Sequence, residues 1–265
     1  MEHQRPPTDN STILLHQLLP AQQSNKWKKQ WSAFLRTWRQ PGVRVLRWRD
    51  ADLQPLVRRA FPHLAARIGR MRTPIERVDM ARYALLYLYG GVYADADVAL
   101  LSLPMLRCAI RDAELTLPWE KERLIGQSIM ISRSPRHPFW ASLAKELVAR
   151  YNRACYEPDN TGPDALTRAW PKLCLDGPRT PLRLHRGLLA GPVALHGMTG
   201  AWRNQASVAR RKGRLGCPTN AALPAMPRQC VEFGESCGSN RSLALASLPR
   251  HLVTPALARE RPARG

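Results

Sequence analysis

Acidic residues are scarce in this chain. Only 20 Asp and Glu stand against 41 Lys and Arg, a formal net charge of +21. A field of that sign draws in polyanions: nucleic acid, anionic membrane or phosphorylated small molecules. An Arg-rich composition alone produces the same count, so charge does not choose among them. The six cysteines (Cys108, Cys155, Cys174, Cys217, Cys230 and Cys237) include no Cys-x-x-Cys pair, which removes the zinc ribbon. Six in 265 residues are too few for a disulfide scaffold, and some are expected as plain buried residues. Long apolar runs are missing too. The longest, Tyr83 to Ala94, is broken by Gly90-Gly91 and is too short to cross a bilayer. Met1 to Asn10 is polar and has no apolar leader core. These absences set the expectation of a soluble, cytoplasmic protein. There is no internal repeat, and an apolar content of 44% is enough for a sizeable buried core. Two glycosylation sequons, at Asn10 and Asn240, are of a kind frequent by chance.

What is present reads as alternating strands and helices. Thr12 to Leu18 is a buried first strand. Trp27, Trp31, Phe34, Leu35 and Trp38 recur at helical spacing until Pro41-Gly42 stops them. Val43 to Trp48 is a second strand. Asp50 or Asp52 can cap a helix with Leu53, Leu56, Val57 and Phe61 on one face. That order predicts an α/β layered fold with parallel strands. Thr73-Pro74-Ile75-Glu76 is a capping box that opens a third helix. Val78, Ala81, Leu85 and Leu88 give it one apolar face, and Gly90-Gly91 ends it. Val92 to Leu101 is expected to be extended, a later helix starts near Pro138, and Val193 to His196 is a late strand. From about residue 206 onward Pro, Gly, Ser and Arg dominate, with the run Arg210-Arg211-Lys212-Gly213-Arg214. The organisation expected is a flexible N-terminus over 1–11, a domain over 12–205, and a basic, mostly irregular tail over 206–265.

Chemistry concentrates at Asp95-Ala96-Asp97. On an extended segment, residues two apart point the same way, so both carboxylates can face one hard cation such as Mg2+ or Mn2+. An isolated Asp-x-Asp is common on surfaces. Here it is flanked by Val92, Tyr93, Val98, Leu100 and Leu101, which is not a polar loop. Asp79 and Arg82 lie at i and i+3 on the capped helix and share one side. They form either a surface ion pair or a pair that meets sugar and phosphate oxygens.

The stretch Arg77-Val78-Asp79-Met80-Ala81-Arg82-Tyr83, followed by Leu86 to Val98 with Gly90-Gly91, Tyr93 and Asp95-Ala96-Asp97, resembles the signature of glycosyltransferase family 32. The clostridial glucosylating toxins are similar over the same element. Fainter likenesses continue in family order. They are Leu14-Leu15-His16-Gln17, Gln127 to Pro138, Thr161-Gly162-Pro163, and His196 with Gly200-Ala201-Trp202. The basic tail is not covered.

The resemblance implies a GT-A fold, a Rossmann-like nucleotide-sugar-binding α/β sandwich. It implies a metal-dependent, retaining transfer of a hexose from a UDP- or GDP-sugar to a glycan, lipid or protein acceptor. By the same resemblance Asp97 is the direct ligand of Mn2+ or Mg2+, Asp95 holds the metal shell and the donor's ribose or sugar, and His196 is a third ligand. Asp79 and Arg82 bind donor sugar and phosphates, with Asp79 accepting from sugar hydroxyls. Tyr93 and Gln127 line the donor, and His16 and Gln17 sit near the nucleotide. Asp95, Asp97 and Arg82 carry catalysis. The tail is a candidate contact with anionic surfaces. Two other readings remain at this stage: a basic nucleic-acid or polyanion binder, and a glycosyltransferase-like fold without activity.

Overall fold

A computed structural model describes residues 12–19, 25–120, 124–153, 155, 160–176, 182–185, 188 and 193–197. The expectations for residues 1–11 and 206–265, both sequons, and Gly200-Ala201-Trp202 lie outside these. The elements run β1 (Ile13–Leu19), α1 (Asn25–Trp38), β2 (Val43–Arg49), α2 (Asp50–Ala60), α3 (Ala65–Gly69), α4 (Pro74–Tyr89), β3 (Gly91–Ala94), β4 (Val98–Leu100) and α5 (Leu103–Asp112). There follow β5 (Leu115–Pro118), β6 (Ile129–Ser132), α6 (Pro138–Arg150), α7 (Pro163–Asp176), β7 (Leu182–His185) and β8 (Ala194–His196). The main sheet has the order β2-β1-β3-β6-β5-β7. β1, β2 and β3 are parallel, as are β5 and β7, and β6 alone runs against its neighbours. The sheet is therefore mixed rather than all parallel. β4 and β8 form a second, antiparallel pair. This mixed α/β sandwich is a Rossmann-like GT-A fold.

The pleat sorts the core. Tyr93 and Met130 face one side of the sheet with α2, α4, α6 and α7. Val92, Ala94, Ile129 and Ile131 face the other, with α5, Trp38 and the β4–β8 pair. Alternation of this kind in adjacent strands is what lets one sheet bury both faces.

Several expectations need correction. The capping box on α4 is present: Thr73 Oγ1 accepts the Glu76 N–H and Glu76 accepts the Thr73 N–H. The single apolar face expected for α4 is too narrow, because every residue from Asp79 to Leu86 is buried. The helix lies between the sheet and α2 and α6, so its polar side is covered as well. α2 begins at Asp50, and Asp52 serves from the third helical position, where it accepts the Arg49 N–H at 2.8 Å. The extended run after Val92 is broken at Asp95, where the chain turns (Val98 N–H to Asp95 O, 3.0 Å) and passes from the main sheet to the second one. Finally, Cys108, Cys155 and Cys174 are all disulfide-bonded, so none of them is a plain buried thiol.

Candidate functional site

β3 and β5 run in one direction and β6 in the other. The C-terminal ends of β3 and β5 and the N-terminal end of β6 therefore meet at one sheet edge. Asp95 leaves β3 there, and its N–H donates to Ser128 O at 2.7 Å, just ahead of β6. Gly91 makes the approach to this edge possible. Its φ is +85°, and a Cβ would lie 2.5 Å from Leu14 O, against the backbone of β1.

Asp95 and Asp97 sit on the turn between the two sheets, not in a strand. The turn brings them together all the same. One ligand atom from each of Asp95, Asp97 and His196 lies within 4.8 Å of the others. β8 supplies His196 by pairing it with Val98. The Gly197 N–H donates to Asp97 O at 2.7 Å and pins the same corner. His196 Nε2 is 3.3 Å from Asp97 Oδ1, and its buried Nδ1 has no partner. Burial by itself lowers the imidazole pKa. The bond to Asp97 and the charges of Asp97, Asp95 and Glu120 outweigh that and raise it. Two carboxylates and one imidazole, each offering one ligand atom, are a donor set that fits a divalent cation.

Behind this corner lies a buried network. Arg82 on α4 bridges Asp79 Oδ1 and Asp95 Oδ1, each at 3.2 Å. Its guanidinium lies over the Tyr93 ring, 5.3 Å from the centroid. The Tyr93 hydroxyl donates to Asp95 Oδ1 at 2.6 Å. Asp79 accepts Gln127 Nε2 on Oδ1 at 3.0 Å and Thr161 Oγ1 on Oδ2 at 2.8 Å. Gln127 Oε1 accepts the Tyr83 hydroxyl at 2.8 Å. Asp79 is 2% exposed with both oxygens engaged, which rules out the exposed ion pair as an alternative. Burial pushes its carboxyl up to about 6 despite the opposing charge of Arg82. Burial also raises Asp95, again against Arg82. Burial opposes the charge on Arg82, but Asp95, Tyr93 and Asp79 overcome it and hold the guanidinium protonated.

His16 and Gln17 stand apart from this network. His16 is fully buried on β1. Its Nε2 donates to Gly90 O at 3.0 Å, and its Nδ1 accepts from Trp48 Nε1 at 3.2 Å, which fixes a neutral tautomer. Burial lowers its pKa to about 4. Gln17 is also buried, and its Nε2 has no partner. Sequence reasoning passed over Tyr83 and Thr161 as site residues. Both stood inside quoted motifs, but neither carries a charge to mark a role.

Residues 18–112 match the family described as "Glycosyltransferase sugar-binding region containing DXD motif". Two mannosyl phosphorylinositol ceramide synthases of Saccharomyces cerevisiae are each 30% identical over 139 residues. That is 49% of this chain and 34% and 35% of theirs. The inositol phosphoceramide mannosyltransferase 3 of Schizosaccharomyces pombe is 33% identical over 58 residues, 22% of this chain and 16% of its own. The chain spans about a third of the length of the two budding-yeast relatives. Among solved structures, PaToxG glycosyltransferase aligns at 14% identity with a TM-score of 0.46, covering 61% of this chain and 69% of that one. The match to the DXD sugar-binding region thus covers residues 18–112, and about half of the chain is similar to the two budding-yeast synthases.

Proposed function

We propose that this protein is a metal-dependent glycosyltransferase that moves a hexose from a nucleotide-diphosphate sugar to an acceptor hydroxyl. The observation that carries the reading is the convergence of Asp95, Asp97 and His196 at one corner, with Arg82 locked behind Asp95. Asp95, Asp97 and His196 would hold Mn2+ or Mg2+, and an imidazole in the set favours Mn2+. Such a cation, when bound, neutralises the diphosphate as it departs. The protein's own groups do the rest. Arg82 adds a fixed positive charge in a site that excludes water. Asp79, Gln127 and Thr161 hold Arg82 in place, and Tyr93 orients Asp95. His16 serves the site through the strand it anchors, and Gln17 offers an unused donor near the nucleotide.

The relatives are named for mannosyl transfer to an inositol-phosphate ceramide. GDP-mannose and inositol phosphoceramide are therefore the first donor and acceptor to try. Retention at the anomeric carbon and contact of the basic tail with anionic membrane belong to the same proposal. The deciding experiment is cation-dependent release of nucleoside diphosphate across a panel of UDP- and GDP-sugars. Release that requires Mn2+ or Mg2+ supports the reading, and no release from any donor sinks it.

A further inference from the structure

Glu120 enters none of the roles above. It lies outside the matched region, two residues past the end of β5, at the same sheet edge as Asp95 and Gln127. An antiparallel bridge between Trp119 and Ile125 holds it there. The Glu120 N–H donates to Leu124 O at 2.7 Å, and the Gly126 N–H donates to Pro118 O at 2.9 Å. Its carboxylate packs directly on Gly126, where a Cβ would overlap Oε1 and fall 2.6 Å from Cδ. The absence of a side chain at 126 is what gives the carboxylate its seat. Burial raises its pKa, and the charges of His196 and Asp95 act on it in opposite senses. It is not one of the three groups whose ligand atoms converge for a cation. No hydrogen bond or ion pair engages the carboxylate among the described residues.

Asp79, the other carboxylate suited to a sugar hydroxyl, already spends both oxygens on Arg82, Gln127 and Thr161. Glu120 thus combines acceptor capacity free for ligand with a position beside the reaction corner. We propose that Glu120 is a donor-sugar-binding residue that accepts a hydrogen bond from a hydroxyl of the transferred hexose and does not ligate the cation. This rests on the glycosyltransferase reading given above.

The test uses the full-length protein and donor hydrolysis to water, with GDP-mannose first and then the best donor of the UDP- and GDP-sugar panel. Glu120→Gln should lower kcat/KM for hydrolysis by about tenfold or more, as loss of a hydrogen bond to a charged group does. Mn2+ affinity and melting temperature should be unchanged. Gly126→Ala, which displaces the carboxylate without removing it, should show the same loss. Against a series of deoxy-sugar donors, one member should cost the wild type about tenfold and Glu120→Gln almost nothing more. That pattern identifies the hydroxyl, and a purely structural residue would not produce it. Wild-type hydrolysis retained in full by Glu120→Gln overturns the role of Glu120 and leaves the enzyme reading standing. Weakened Mn2+ binding in Glu120→Gln overturns it by making Glu120 a ligand. A wild type that releases no nucleotide from any donor sinks the enzyme reading, and the role with it.

Discussion

Arg82 joins two carboxylates at once, and no other cation among the described residues can take its place between them. Its planar fork meets Asp79 and Asp95 with separate nitrogens, which the single ammonium of lysine cannot do. Arg82→Lys should fold and lose on the order of 100-fold in turnover, measured as cation-dependent nucleotide release. Arg82→Ala leaves two buried carboxylates uncompensated and should cost about 3–5 kcal/mol in denaturant unfolding. Asp97→Asn touches neither end of that bridge. It should keep the wild-type melting temperature in metal-free buffer and lose cation-dependent turnover on the order of 100-fold. His16 makes a prediction about pH. Its folded pKa of about 4 lies below the ordinary 6.5, so the folded state binds fewer protons between these values. Its contribution is complete above pH 6.5 and is lost as pH falls toward 4, by roughly 3 kcal/mol. Asp79, raised to about 6, works in the opposite sense, gaining stability as pH falls. The measurement is therefore the difference between wild type and His16→Gln across pH 4 to 7, which should shrink steadily on acidification. At this scale the charged members of the site were legible, because Asp79, Arg82, Asp95 and Asp97 stand in one signature. Glu120 was not legible, since it becomes notable only when β5 and β6 fold back to place it beside residues that are distant in sequence.

α4 shows what an element adds to a motif. Its start is written in Thr73-Pro74-Ile75-Glu76, and the structure forms that cap. Glu76 does more than the cap requires: it is fully buried and also accepts the Tyr151 hydroxyl at 3.1 Å and Asn160 Nδ2 at 2.9 Å. It ties α4 to the end of α6 and to the segment that carries Thr161. Thr73→Ala should cost about 1 kcal/mol in unfolding free energy, as an N-cap loss does. Glu76→Ala should cost about 3 kcal/mol, because it strands several buried donors. At the other end of α4, Gly91→Ala should destabilise by about 3 kcal/mol or more, combining a disfavoured φ with overlap on the β1 backbone. The cap and the stop were readable because both are local. The burial of the whole Asp79–Leu86 face was not, since it depends on α2 and α6 closing over the helix. Nor was the turn at Asp95 readable, since the pairing of Val98 with His196 draws the chain off the main sheet.

For the molecule as a whole, the three bonded cysteines and the charge make opposite kinds of statement. Cys108, Cys155 and Cys174 are bonded. Disulfides persist in oxidising compartments, whereas cytoplasmic thiols are kept reduced. Labelling the native protein with a thiol reagent should leave these three unmodified, and a reductant should lower the melting temperature. Modification of all three in protein trapped directly from cells would place the chain in a reducing compartment. Among the described residues no helix is long and apolar enough to cross a membrane. If the net charge of +21 serves a surface, the run from Arg210 to Arg214 should carry part of it. Replacing Arg210, Arg211, Lys212 and Arg214 together by Gln should weaken salt-sensitive binding to phosphatidylserine vesicles and leave donor hydrolysis intact. Binding that survives the change places the effective charge elsewhere in the chain.

Among the described residues the second sheet is two short strands, and His196 closes it against the turn that bears Asp95 and Asp97. The donor atoms of the corner therefore belong to two separate layers. A cation held there is a cross-link as well as a cofactor: whatever parts the layers must also release the ion. Occupancy and folding become thermodynamically linked, so the melting curve doubles as a binding isotherm. Mn2+ at a hundred times its dissociation constant should add about 2.7 kcal/mol to unfolding. Asp97→Asn should flatten that response even when no sugar donor is in the tube.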